Sequence, residues 1–179
     1  MVWVNEEERA IRRACRARLM NLVAVAFFIT ALIALGAFHV TPWSKEAPDQ
    51  GYHVWIEFRD MVQARDFSNP WESIGLFMFP CFALLALVSP FLVGFLRRSR
   101  LAWWMLVLFS GICLISIGAF MFVITQPAPG EPDQRGTGFF CLAGAMVLNF
   151  IGMLFVRRDG RIAAQPDAGT GDWPTVGGP

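Results

Sequence analysis

Four stretches of this chain contain no Asp, Glu, Lys or Arg: Leu19–Val40, Ser73–Leu96, Leu101–Thr125 and Gly136–Val156. Each exceeds the roughly 18 residues that mark a membrane-spanning candidate. At about 1.5 Å per residue, ~20 residues cross the roughly 30 Å hydrocarbon layer. Lipid offers the backbone no hydrogen-bond partners, so a crossing segment satisfies its own amides by forming a helix. The sequence therefore predicts an all-α integral membrane protein, a bundle of four transmembrane helices. Composition excludes most alternatives: of 179 residues, 55% are hydrophobic and only 16% charged, whereas a soluble domain averages about 25% charged. A net charge of +1 gives no basic surface for a nucleic-acid partner.

The basic residues supply an orientation. Arg9, Arg12, Arg13, Arg16 and Arg18 precede the first span, Arg97, Arg98 and Arg100 separate the second from the third, and Arg157, Arg158 and Arg161 follow the fourth. Only Lys45, Arg59, Arg65 and Arg135 fall on the opposite side. Basic residues near span ends stay in the cytoplasm, which predicts that both termini are cytoplasmic. Trp43 and Trp71, at the outer ends of the first two spans, and Trp103 and Trp104, at the inner end of the third, suit the headgroup layer. A cleaved signal peptide fits poorly, since the first apolar run is too long and Glu6, Glu7 and Glu8 lie before it. One lysine against 14 arginines suggests a GC-rich bacterial genome and hence an inner membrane.

Local signals divide the chain further. Asn5 and Glu8 have capping-box spacing, and Glu8–Arg12 is a favourable i,i+4 pair; they predict a cytoplasmic helix over residues 1–18, starting near Glu6 and running into the span 19–40. Asn69-Pro70-Trp71-Glu72 reads as N-cap, N1 proline and N3 glutamate for the span 73–96. Residues 97–100 form a cytoplasmic turn before the span 101–125. Gln126-Pro127-Ala128-Pro129-Gly130 stops that span and opens a second outer loop, 126–135, before the span 136–156. Residues 157–179, rich in Gly, Pro and Asp and without periodicity, read as a disordered cytoplasmic tail.

The outer loop 41–72 is the only sizeable polar segment between spans. Within it Val54, Trp55, Phe58, Met61 and Val62 recur at i, i+1, i+4, i+7 and i+8, an amphipathic helical pattern over about 52–65 in which Ile56 is the exception. Trp55, Phe58, Met61 and Val62 are the candidate docking residues, either onto this protein's own bundle or onto a partner.

Within the spans the polar signals are sparse. No ionisable side chain other than cysteine lies deep in any span, which argues against a proton-coupled pump or transporter but leaves room for a hydrophobic or backbone-lined site. Cys141, Ala145, Asn149 and Gly152 make one small or polar stripe; Ala26, Thr30, Ala34 and Ala37 make a second, and Gly111 and Gly118 add small positions to the third span. Small stripes let helices approach closely, and an amide can hydrogen-bond across them. These faces are expected to pack helices within the chain or against another subunit. Pro80 and Pro90 in the second span each remove a backbone donor and are candidate kinks.

Cys15, Cys81, Cys113 and Cys141 form no short-spaced pair, so zinc and dithiol redox motifs are absent. The loop 41–72 contains no cysteine, which excludes a disulfide-stapled outer domain. His39 and His53 do not sit on two facing spans, as a bis-histidine haem would require. His39, His53, Met61, Met78, Cys81, Met121 and Cys141 all belong to the outer half and together could offer soft ligands to copper. No hydrolase, metalloprotease or nucleotide-binding motif occurs. The expectation is a protein with no catalytic role, no cofactor and no metal, an accessory or structural subunit of a larger membrane complex that meets the bilayer and other membrane subunits or copies of itself. The alternative is a carrier of copper, a quinone or a lipid in a pocket near Pro80.

Overall fold

The computed structural model describes residues 2–43, 50–65, 67–124 and 135–156. Among them are five helices, α1 (Val2–Val40), α2 (His53–Ala64), α3 (Pro70–Arg98), α4 (Arg100–Ile124) and α5 (Thr137–Phe155), and no strand. Four of them, all but α2, are long and apolar enough to cross a membrane. The expected tail 157–179 and the loop 126–135, apart from Arg135, lie outside the described residues.

The start of α1 differs from the sequence expectation. Asn5 is inside the helix rather than at its N-cap, because α1 begins at Val2; nothing from Val2 to Asn5 breaks a helix, so the capping signal is overrun. With 39 residues, α1 is about 58 Å long, nearly twice a hydrocarbon layer. Glu8 and Arg12 pair on its surface at 2.6 Å. Helix α3 begins as read: the Asn69 side chain accepts from the Glu72 amide and donates to the Glu72 carboxylate, with Pro70 at N1. It then continues through Pro80 and Pro90 to Arg98. One residue, Ser99, joins it to α4. The Ser99 amide donates to the Phe95 carbonyl, ending α3, while its hydroxyl accepts from the Ala102 amide, starting α4.

The four long helices form a ring in which α1 packs on α3 and α5, and α4 packs on α3 and α5. The α1–α5 pair is the most extensive, and the backbones of α1 and α4 stay apart across the ring. Two apolar clusters fill the interior. One, at the end where α2 sits, is built on Phe38, Leu76, Phe79, Phe82, Ile117 and Leu142. The other, toward the Ser99 turn, is built on Ala24, Phe28, Leu96, Val107 and Met153. The arginines of α1 and of the α3–α4 turn share that second end.

Glycine lets helices touch where a side chain would not fit. A Cβ on Gly152 of α5 would stand 2.6 Å from the Phe28 ring of α1, and one on Gly75 of α3 would collide with the Phe120 ring of α4. At the α2 end, the Gly136 amide donates to the Trp43 carbonyl and the Gly138 amide to the Pro42 carbonyl, both at 2.9 Å. These bonds tie the start of α5 to the segment leaving α1.

Candidate functional site

Between the two apolar clusters lies a layer of buried polar side chains, Ser89 of α3, Ser110 of α4 and Asn149 of α5. Asn149 is 0% exposed, and its amide nitrogen donates to the Ser110 hydroxyl at 3.4 Å, a long bond from α5 to α4. Its carbonyl oxygen is buried with no hydrogen-bond partner among the described residues. Ser89 instead donates to the Leu85 carbonyl of its own helix at 2.6 Å. The sequence singled out Asn149 but not Ser110; the only signal was a serine beside Gly111, and Ser116 in the same span gives no way to choose between them.

The stripe on α5 faces inward. Ala145, Asn149 and Gly152 are buried and Cys141 is half-buried. Gly111 of α4 is half-buried, with the Phe150 ring 3.6 Å from where its Cβ would stand, whereas the same position on Gly118 is open. The stripe on α1 lies elsewhere. Ala26 and Thr30 are exposed and Ala34 is half-buried, because α1 meets the bundle through Ala24, Phe28, Ala31, Leu35 and Phe38. The Thr30 hydroxyl is satisfied within its own helix, donating to the Ala26 carbonyl at 2.9 Å.

Helix α2 rests on the ends of α1 and α3. Val54 is buried, and Phe58 and Met61 pack against the core below. Phe58 meets Phe77 edge-on, with centroids 5.5 Å apart. Trp55 stands at the rim: its ring meets Phe79 edge-on at 5.1 Å and its indole N–H donates to His39 Nε2 at 2.8 Å. His39 Nδ1 lies 2.7 Å from the Leu35 carbonyl. An indole only donates and a carbonyl only accepts, so His39 carries its proton on Nδ1 and accepts at Nε2. Val62, at 43% exposure, remains outside the packed face, as does Ile56. The helix ends on Arg65 in the left-handed conformation, φ 53°, whose amide donates to the Met61 and Val62 carbonyls.

Both nitrogens of His39 are therefore occupied. Met61, Met78 and Cys141 are partly buried against the core and Met121 belongs to it, but Cys81 is exposed on α3. Among the described residues no three His, Cys, Asp or Glu side chains converge to hold a metal ion. Pro80 and Pro90 are half-buried. The apolar cavity beneath α2, between Phe38, Trp43, Phe79, Phe120 and Leu142, has only about 10 Å³ of free space. That volume holds one water and no quinone or lipid tail, and Pro80 does not line it. The Trp103 indole N–H donates to the Met153 carbonyl near the end of α5 at 2.9 Å. Compared with known proteins, the chain matches no family model, no curated protein sequence and no solved structure.

Proposed function

We propose that the chain is a non-catalytic accessory or structural subunit of a larger membrane complex, lying in a bacterial inner membrane with both termini cytoplasmic and α2 on the outer surface. The observation that carries this reading is the outward face of α1. Ala26 and Thr30 are exposed there, and Gly36, on the same side, has no heavy atom within 4 Å of where its Cβ would stand. Glycine inside a helix costs about 1 kcal/mol relative to alanine, and the chain's own packing gives no return for it. Close approach by a helix of another chain would, since small residues let transmembrane backbones come together. The remaining exposed residues on this face, Leu22, Ile29 and Ile33, are as suited to a neighbouring helix as to lipid. The crowding of arginines at the Ser99 end supports the orientation.

Purification in a mild detergent, with mass spectrometry of co-eluting proteins, tests the reading. The expected result is a stoichiometric membrane partner or a second copy of the chain, lost in Ala26→Leu and Gly36→Leu variants that keep their helical content. A strictly solitary monomer, in detergent and after crosslinking in the native membrane, overturns it.

A further inference from the structure

We propose that the outward face of α1 docks a transmembrane helix of another protein whose cytoplasmic continuation is acidic. The inference rests on the reading that α1 begins in the cytoplasm and meets a membrane partner, and it adds that partner's chemistry. Ile11, Leu22, Ile29, Ile33 and Val40 are all exposed. Their steps of 11, 7, 4 and 7 residues are close to whole helical turns. They therefore form one apolar line, on the side of α1 away from the Ala24, Phe28, Ala31, Leu35 and Phe38 face that is buried in the bundle.

Lipid accounts for only part of that line. Ile11 lies eight residues before the charge-free run that starts at Leu19, about 12 Å along the helix. Arg12, Arg13, Arg16 and Arg18 fall between, and their charge keeps this stretch out of hydrocarbon. The headgroup layer is only about 5–7 Å deep on each side, so Ile11, at 62% exposure, stands beyond it in water. An apolar line that runs on past the membrane fits a protein helix that does the same.

The second observation, independent of the apolar line, is unpaired charge. Residues 9–18 carry five arginines. Arg12 pairs with Glu8 and Arg13 reaches the Arg9 carbonyl, while Arg9, Arg16 and Arg18 have no carboxylate partner among the described residues. Arg9–Arg13 and Arg12–Arg16 are like-charge i,i+4 neighbours, which weaken a helix. Residues 11–16 are all exposed, so no packing offsets that repulsion. Carboxylates from a neighbouring helix would relieve it through charge-assisted bonds. A second copy is the wrong neighbour, because two parallel α1 helices would set five arginines against five. Lipid phosphate does not reach far enough: Arg9 is about 15 Å from Leu19 along the helix, and helical side chains lean toward the N-terminus, here away from the membrane.

Photo-crosslinking in the native membrane tests the proposal, with a benzophenone side chain placed singly at Ile11, at Ile33 and, as a lipid-facing control, at Phe91 of α3, which is 82% exposed. Ile11 and Ile33 should capture the same membrane protein, the Ile11 adduct falling in a segment of net negative charge, and Phe91 should capture no protein. In phosphatidylcholine liposomes, a synthetic leucine–alanine span continued by a glutamate-rich helix should bind the full-length protein about tenfold tighter than its glutamine counterpart. Combining Arg9→Gln, Arg13→Gln and Arg16→Gln, all on the exposed extension, should erase that difference. The proposal is overturned if Ile11 captures lipid alone or a second copy, if its adduct lies in a neutral or basic segment, or if the two peptides bind equally. A partner captured through a neutral or basic segment would leave the subunit reading standing, whereas a solitary chain at every position would remove both.

Discussion

Gly152 and Asn149 are three residues apart on α5, yet they constrain the bundle in opposite ways. Gly152 has no tolerance, since the space its Cβ would need is taken by the Phe28 ring. Gly152→Ala should cost about 1–3 kcal/mol, the usual penalty for overpacking. Phe28→Leu in the same chain should recover part of it, as read by thermal unfolding in detergent. Recovery by a distant substitution but not by Phe28→Leu would show that the contact is not the cause. Asn149 is less demanding. Its bond to Ser110 is long and its carbonyl oxygen has no partner among the described residues, so a double-mutant cycle of Asn149→Leu with Ser110→Ala should give a coupling of only about 0.6 kcal/mol, near the average for bonds between transmembrane helices. Asn149→Asp should cost more, roughly 2.5–3.5 kcal/mol on insertion scales, because it places an acid at mid-bilayer depth.

Helix α2 is held at its rim by the Trp55–His39 hydrogen bond and by apolar packing below. His39→Phe or Trp55→Phe removes that bond, whose net worth is about 1 kcal/mol. Either change should speed hydrogen exchange of the α2 amides about fivefold and leave α4 and α5 unchanged; the two together should do no more than one alone. At the other end of α2, Arg65 holds a left-handed backbone that costs a non-glycine residue about 1 kcal/mol. Arg65→Gly should therefore slow exchange of the last α2 amides. These elements also mark what a sequence reading could reach. The α2 stripe was legible because Val54, Phe58 and Met61 follow helical spacing, as was the α3 start, where Asn69, Pro70 and Glu72 are local signals. Which side of α1 meets the bundle was not legible. Both Ala26–Thr30–Ala34 and Ala24–Phe28–Ala31 are uncharged, and a helix in lipid has no charged face to tell inside from outside. The His39–Trp55 bond was equally hidden, because it joins residues brought together only by tertiary packing.

At the scale of the molecule, arginine is distributed unevenly. Those of α1, with Arg97, Arg98 and Arg100, gather at the Ser99 end, while Arg59, Arg65 and Arg135 sit at the α2 end. In intact bacterial cells a membrane-impermeant maleimide should label a Gln63→Cys variant and spare Ser99→Cys, in a background where native cysteines are replaced. Cys15, exposed on α1, is a native reporter for the Ser99 end and should react only after the membrane is opened. The reverse pattern would invert the orientation.

The pairing of α1 with α5 has a consequence in time. Helix α1 finds its main neighbour only in α5, about 115 residues later in the chain. At a synthesis rate of ~5–20 residues per second, α1 waits on the order of ten seconds for that neighbour. During that wait Phe28 has no Gly152 to close over, and the flank of α1 that will meet α5 is open to whatever the insertion machinery or a chaperone presents. A chain whose synthesis stops before α5 would leave that flank uncovered.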